Sequence, residues 1–253
     1  MTALDQAFIR AYGQDGAEAP AAISAPPAAQ DNPPTAERPF RPMLQVDDFC
    51  WPGICRQLEE AAGNELDRLA DAAIEIAGRG QKVLAIAGCR RGEGTTALVL
   101  ALARRLVERR RKVVLADANL ANPRLAPRLA VQPQHGWEEV IAGRMPLEEV
   151  IVESVLSGLG LLPVCGTSAR PDLSDDEKSR MADSLGLLAS HYDLVLVDAA
   201  SAADPATLPR GLDALLLVHN MRTTTPQRLA ETERRLSQAG MPPRGIIQNF
   251  VQP

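Results

Sequence analysis

The run Gly88-Cys89-Arg90-Arg91-Gly92-Glu93-Gly94-Thr95-Thr96 packs three glycines, two arginines and two hydroxyls into nine residues. Glycines at that density let a backbone turn its N–H groups inward. A helix starting directly after them adds its positive end, so the segment can cradle phosphate. The pattern for such loops is G-x-x-x-x-G-K-[ST]. Aligned on Gly94, the lysine position holds Thr95 and the first glycine position holds Cys89, while Thr96 keeps the hydroxyl at the usual metal-ligand position. Two carboxylates complete the set. Asp117 ends the apolar run "VVLAD" and Asp198 ends "DLVLVD". At strand ends opposite a loop hydroxyl, carboxylates can hold magnesium directly or through water. One such aspartate means little, since acidic residues often close a strand at a solvated loop. Two of them, both downstream of a glycine loop, point to a nucleotide site.

These residues need a frame that brings them to one edge. "KVLAIAG" is a short, continuously apolar run ahead of the loop, as expected of a strand buried on both faces, and "ALVLALARRLVERR" after it reads as a helix. Strand, glycine loop and helix is the context that makes the loop match credible. The alternation continues with strand "KVVLADA", helical stretches at "GWEEVIAG" and "LEEVIVESV", strand "GLGLLPV" and helix "DEKSRMADSLGLLASHY". Strands "DLVLVDA", "ALLLVHN" and "RGIIQNF" follow, with helix "PQRLAETERRLSQAG" between the last two. Repeated strand–helix units predict an α/β fold, a mainly parallel, doubly wound sheet with helices on both faces. Ligands of such sheets bind beyond the carboxyl ends of the strands, where the loops after Ala87, Ala116 and Val197 fall.

Composition divides the 253 residues in two. Residues 1–45 carry alanine- and proline-rich stretches such as "AEAPAAISAPPAAQDNPP" and read as a disordered tail. Within it, Leu4, Phe8 and Tyr12 share one face of a short amphipathic helix near residues 3–12. That helix either docks a partner or folds back on its own domain. Residues 46–253 hold the aliphatic residues of one globular domain, opening on a helical stretch from about Ile54 to Ala77 broken near Gly63. No apolar run approaches the ~18 residues that cross a bilayer, so the expectation is a cytoplasmic protein without a direct membrane span. A net charge of −5 argues against a dedicated nucleic-acid binder, and the basic run from Arg104 to Lys112 reads as the solvated end of a helix. The four cysteines lack metal-ligand spacing. Cys89 alone lies in the loop, where it either packs as a small residue or is made reactive by the helix end and the two arginines.

From about Glu65 to Val251 the chain resembles the cytoplasmic P-loop domain of bacterial tyrosine kinases that regulate capsule and exopolysaccharide synthesis, relatives of the MinD and ParA deviant-Walker ATPases. The matching pieces are "GCRRGEGTT", "VVLADANLANPRL", "GWEEVIAGRMPLEEVI" and "YDLVLVDAA". The resemblance implies binding of ATP or ADP with Mg2+. It assigns Arg91, Gly92, Glu93, Gly94, Thr95 and Thr96 to the phosphate loop, Thr96, Asp117 and Asp198 to the metal, and Asn249 of "GIIQNF" to the adenine. It also implies a role in exopolysaccharide synthesis or export beside a membrane-bound co-polymerase or export protein, which would place the chain at the inner membrane through that partner.

The chain departs from the family in four places. Thr95 replaces the lysine that bridges the β- and γ-phosphates, and Asn119 replaces the second aspartate of the family's D-x-D. Only Tyr12 and Tyr192 are present, so the tyrosine cluster of a kinase tail is missing. The family's oligomerisation motif E-x-x-R-x-x-R reads Glu65, Arg68, Asp71 here, which leaves a homo-oligomer open. The expectation is a kinase-like regulator whose catalysis is weakened or lost, because phosphoryl transfer rests on positioning and charge neutralisation. Two alternatives stay open. In one, an active ATPase or kinase uses Arg90 or Arg91 in place of the lysine; the competing reading of the two arginines is as surface residues whose charge only raises local anion affinity. In the other, the chain is a MinD- or ParA-like positioning ATPase.

Overall fold

The computed structural model describes residues 40–165 and 173–250. The amphipathic stretch at residues 3–12 and most of the alanine- and proline-rich tail lie outside them. Among the described residues one sheet of eight strands forms: β1 (Leu44–Val46), β2 (Val83–Gly88), β3 (Val113–Asp117), β4 (Val152–Ser154), β5 (Gly160–Leu162), β6 (Leu194–Ser201), β7 (Ala214–Asn220) and β8 (Gly245–Asn249), in the order β1-β4-β5-β3-β6-β2-β7-β8. Every neighbouring pair is parallel except β4 with β5.

The central strands are buried from end to end, as their unbroken apolar runs require. Side chains alternate across the sheet and feed two cores. Leu84, Ile86 and Leu115 pack on one side with Leu66, Ala70 and Ala73 of α1 (Gly53–Gly78) and with Val99, Leu102 and Leu106 of α2 (Thr95–Glu108). Ala85, Ala87 and Val114 pack on the other, against α4 (Trp137–Ile141), α5 (Asp175–His191) and α6 (Pro226–Gln238) through Trp137, Leu185, Leu188 and Leu236. A four-residue helix, α3 (Leu125–Arg128), follows β3. α5 opens on a capping box, Ser174 accepting from the Glu177 N–H while Glu177 accepts from the Ser174 N–H.

Three sequence expectations shift. The tail was expected to reach residue 45, yet Leu44–Val46 is strand β1, paired with Val152–Ser154, and Phe40 stacks on His191. The folded part therefore includes residues counted as tail. "LEEVIVESV", expected as helix, is a turn of 3-10 helix at Leu147–Glu149 followed by β4; its Val-Ile-Val branching suits a strand. The break expected near Gly63 falls at Ala62, whose φ of −148° is not helical.

Half of the basic run proves structural. Arg109 reaches Asp67 at 2.9 Å and Asp71 at 2.6 Å, and Arg104 reaches Glu59 at 3.3 Å, tying α2 to α1. Asp71, the third position of the E-x-x-R-x-x-R comparison, is thus used within the chain. No helix among the described residues is long and apolar enough to cross a membrane.

Candidate functional site

Three parallel strands bring the candidate residues together. β3 and β6 pair with Asp117 opposite Asp198, and β6 pairs with β2, which ends at Gly88 where the glycine loop begins. The β2–β6 register slips between Ile86 and Gly88, so β6 bulges just past Asp198. Such a bulge re-aims a strand end beside a site. Both aspartates are fully buried. The Thr96 hydroxyl donates to Asp198 Oδ2 at 2.6 Å, joining the first turn of α2 to the end of β6.

The loop needs its glycines for space. Gly94 has a φ of +87°, and a Cβ there would lie 2.5 Å from Asn249 Nδ2. A Cβ on Gly88 would lie 2.7 Å from the Arg90 carbonyl oxygen. Asn249 itself donates from Nδ2 to the Glu93 carbonyl at 2.8 Å, so the end of β8 latches onto the loop. Beside it, the Arg222 guanidinium stands 5.4 Å over the Phe250 ring.

Glu93 does not face solvent as a loop residue would. It is 1% exposed and sits beneath the loop, accepting from the Cys89 N–H at 2.7 Å and from the Thr224 hydroxyl. His219 fixes that threonine's backbone by donating from Nε2 to its carbonyl at 2.8 Å. This buried chain from β7 to the loop carries no motif, and the sequence reading missed it. Its only trace was an acidic residue between two glycines. Thr95 is buried as well, with Oγ1 3.0 Å from where a Cβ on Gly88 would stand, so it turns under the loop.

Asp117 is occupied by its own following loop. Its Oδ2 accepts from the N–H groups of Arg124 at 2.7 Å and Leu125 at 2.9 Å, and its Oδ1 from Asn119 at 3.0 Å. Burial pushes its carboxyl up to about 6, and the charge of Asp198 adds to the rise against these three hydrogen bonds. The Cys89 thiol is pushed up to about 11 by burial and by the Glu93 carboxylate, which corrects the alternative of a reactive thiol and leaves small-residue packing.

Arg90 and Arg91 are both exposed, and they part ways. Arg91 lines a cavity of about 320 Å³ between the loops after β3 and β6, together with Asn119, Lys178, Ser201, Thr207 and Arg210; Arg90 is absent from that lining. The cations Lys178 and Arg210 went unnoticed in the sequence because nothing in their spacing ties them to the loop. Arg210 also meets Asp175 at 2.9 Å.

The donor set fits a magnesium ion. A hydroxyl and buried carboxylates are hard oxygen ligands, and Thr96 and Asp198 already converge on one point. Among the described residues no three His, Cys, Asp or Glu side chains form a metal cluster. An ion at this place would therefore complete its shell with phosphate oxygens and water, the usual way Mg2+ is held.

Comparisons with known proteins agree with this geometry. The family model described as "Cellulose biosynthesis protein BcsQ" matches residues 81–239. The tyrosine-protein kinase etk of Escherichia coli K12 is 29% identical over 175 residues, 67% of this chain but 24% of that protein, so the chain matches about a quarter of this relative's length. The solved kinase domain of that enzyme superposes with a TM-score of 0.61, covering 68% of each chain. Two further structures share the fold: the BceF tyrosine kinase domain (TM-score 0.64, 20% identity, 83% of this chain and 94% of that one) and the septum site-determining protein MinD of Pyrococcus horikoshii, solved with Mg-ADP (0.55, 22%, 66% and 70%). With its sheet order, its glycine loop and a family match over well more than half its length, this chain belongs to the cellulose biosynthesis protein BcsQ family, as a P-loop domain of the bacterial tyrosine-kinase and MinD type.

Proposed function

We propose that the chain is a kinase-like nucleotide-binding regulator of cellulose or related exopolysaccharide synthesis, with phosphoryl transfer weakened or lost. The observation that carries this reading is the combination at the start of α2. The Thr96–Asp198 pair is in place, while Thr95, at the position of the bridging lysine, is tucked under the loop. Backbone N–H groups and the end of α2 would hold the phosphates of ATP or ADP. Thr96 and Asp198 would hold Mg2+, with Asp117 acting through water. The ion would screen charge between the β- and γ-phosphates. Asn249, Arg222 and Phe250, which gather beside the loop, would take the base. Without the lysine, the loop lacks the cation that bridges the β- and γ-phosphates in the family, and loss of one such donor costs on the order of 10²-fold in rate. Output is then conformational: the nucleotide-bound domain engages a membrane-bound co-polymerase or export protein.

The test is calorimetric titration of magnesium ATP into the wild type and Thr95→Lys, with turnover measured on both. A charge-assisted contact is worth about 1.5–3 kcal/mol, so the lysine variant should bind roughly tenfold to a hundredfold more tightly. Ordinary family turnover by the wild type would refute the proposal. Arg91 in the cavity wall supports a second reading, in which that guanidinium replaces the lysine's charge and ATP turnover survives.

A further inference from the structure

At the sheet edge opposite the glycine loop, the turn between β4 and β5 carries Val155 and Leu156, 63% and 77% exposed. It lies beside Lys112, which precedes β3, so it sits at the amino ends of the strands. The turn is rigid. The Val155 and Leu156 N–H groups donate to the Val46 and Asp47 carbonyls at 2.9 and 3.1 Å, and the Gly158 N–H donates to the Ser154 carbonyl at 2.9 Å. Ser157 donates from Oγ to Ser154 Oγ at 2.7 Å. Two aliphatic side chains are thus held out into water by backbone that cannot fold them away.

Leu156 shares a shallow groove with Glu108, Arg110, Arg111 and Lys112. Arg110 and Arg111 make no ion pair among the described residues, unlike Arg104, Arg105 and Arg109 of the same run. Lys112 rests over the Tyr192 ring at 4.7 Å. Glu108, the groove's carboxylate, is already held by Arg104 and Arg105. Of the nearby acids, Asp193 accepts from the Lys112 N–H, and Asp48 is taken up by the Phe49 N–H and Ser154 hydroxyl, while Asp47 is exposed. Those acids keep their charge, and the positive excess belongs to the groove lining itself, where three cations stand against Glu108 alone beside the aliphatic tip.

We infer that this turn and the Arg110–Arg111–Lys112 rim form a contact for an anionic lipid surface. Leu156 and Val155 enter the headgroup layer and the cations meet lipid phosphates. A stable protein interface buries about 800 Å² on each partner, and two protruding aliphatics make no such platform. They do suit shallow insertion, with long basic side chains reaching back to the charged layer.

The test is co-sedimentation of the full chain with phosphatidylcholine vesicles made with and without phosphatidylglycerol. The chain is expected to sediment with the anionic vesicles alone and to release as salt is raised. Arg110→Ser and Arg111→Ser should each weaken binding about fivefold. Leu156→Ser should weaken it by about tenfold or more. Unchanged thermal midpoints would show that these exposed substitutions leave the fold intact, and the arginine variants test the contact independently of Leu156. Absence of vesicle binding, equal binding to both vesicle types, or undiminished binding by the variants overturns the inference. So does capture of an acidic protein through the same residues when vesicles fail.

Discussion

Asp117 gives the sharpest test of the buried carboxylate arrangement. Its carboxyl is raised from 3.8 to about 6, chiefly by burial. A raised folded-state value means that the native state holds this proton more tightly than the unfolded chain, so stability falls as pH rises through the window between about 4 and 6. At 1.36 kcal/mol per pH step, the span from 3.8 to about 6 makes the ionised carboxylate about 3 kcal/mol less favourable in the fold. Complete burial means that solvent does not discount the figure. Urea unfolding of the nucleotide-free protein from pH 4 to 8, compared with Asp117→Asn, isolates this group among all that titrate. The wild type should lose about 3 kcal/mol relative to the variant on going from acid to neutral pH, whatever the variant's absolute stability. Magnesium nucleotide, which favours the ionised form, should flatten the difference. A difference curve with no slope, or one rising with pH, would refute the reasoning, because it would mean that the three N–H donors outweigh burial.

Two further outcomes bear on the loop. Gly94→Ala forces a Cβ to 2.5 Å from Asn249 Nδ2 at a φ of +87°, so the Asn249–Glu93 latch should break; a loss of about 1–3 kcal/mol in thermal or urea unfolding checks it, together with loss of ATP binding by calorimetry. Arg91→Ser should reduce magnesium ATP affinity while Arg90→Ser leaves it within about twofold, because of the two arginines only Arg91 lines the cavity.

The legible part of this protein was the part set by long buried strands. "KVLAIAG", "VVLAD" and "DLVLVD" announce themselves because both faces are covered and no polar residue interrupts them, and their carboxyl ends locate Thr96, Asp117 and Asp198. β1 and β4 were not legible. Each has three residues, too few for a period to show; β1 is the edge strand, and β4 beside it reads Val-Glu-Ser. Within the site, residue types were legible and their directions were not. The sequence could not tell that Asp117 turns its oxygens to its own loop, or that Glu93 turns inward to Thr224, since those choices depend on partners 2 to 131 residues away. The divergence of Arg90 from Arg91 is likewise a matter of where two adjacent side chains leave a turn.

The Asn249–Glu93 latch spans 156 residues of chain. Contacts of that separation carry the largest loop-closure cost and form after local ones during folding. The shape of the glycine loop is therefore coupled to the pairing of β8 with β7, a strand far along the chain, so a change that loosens β8 should be felt at the loop although it touches none of the loop's own residues.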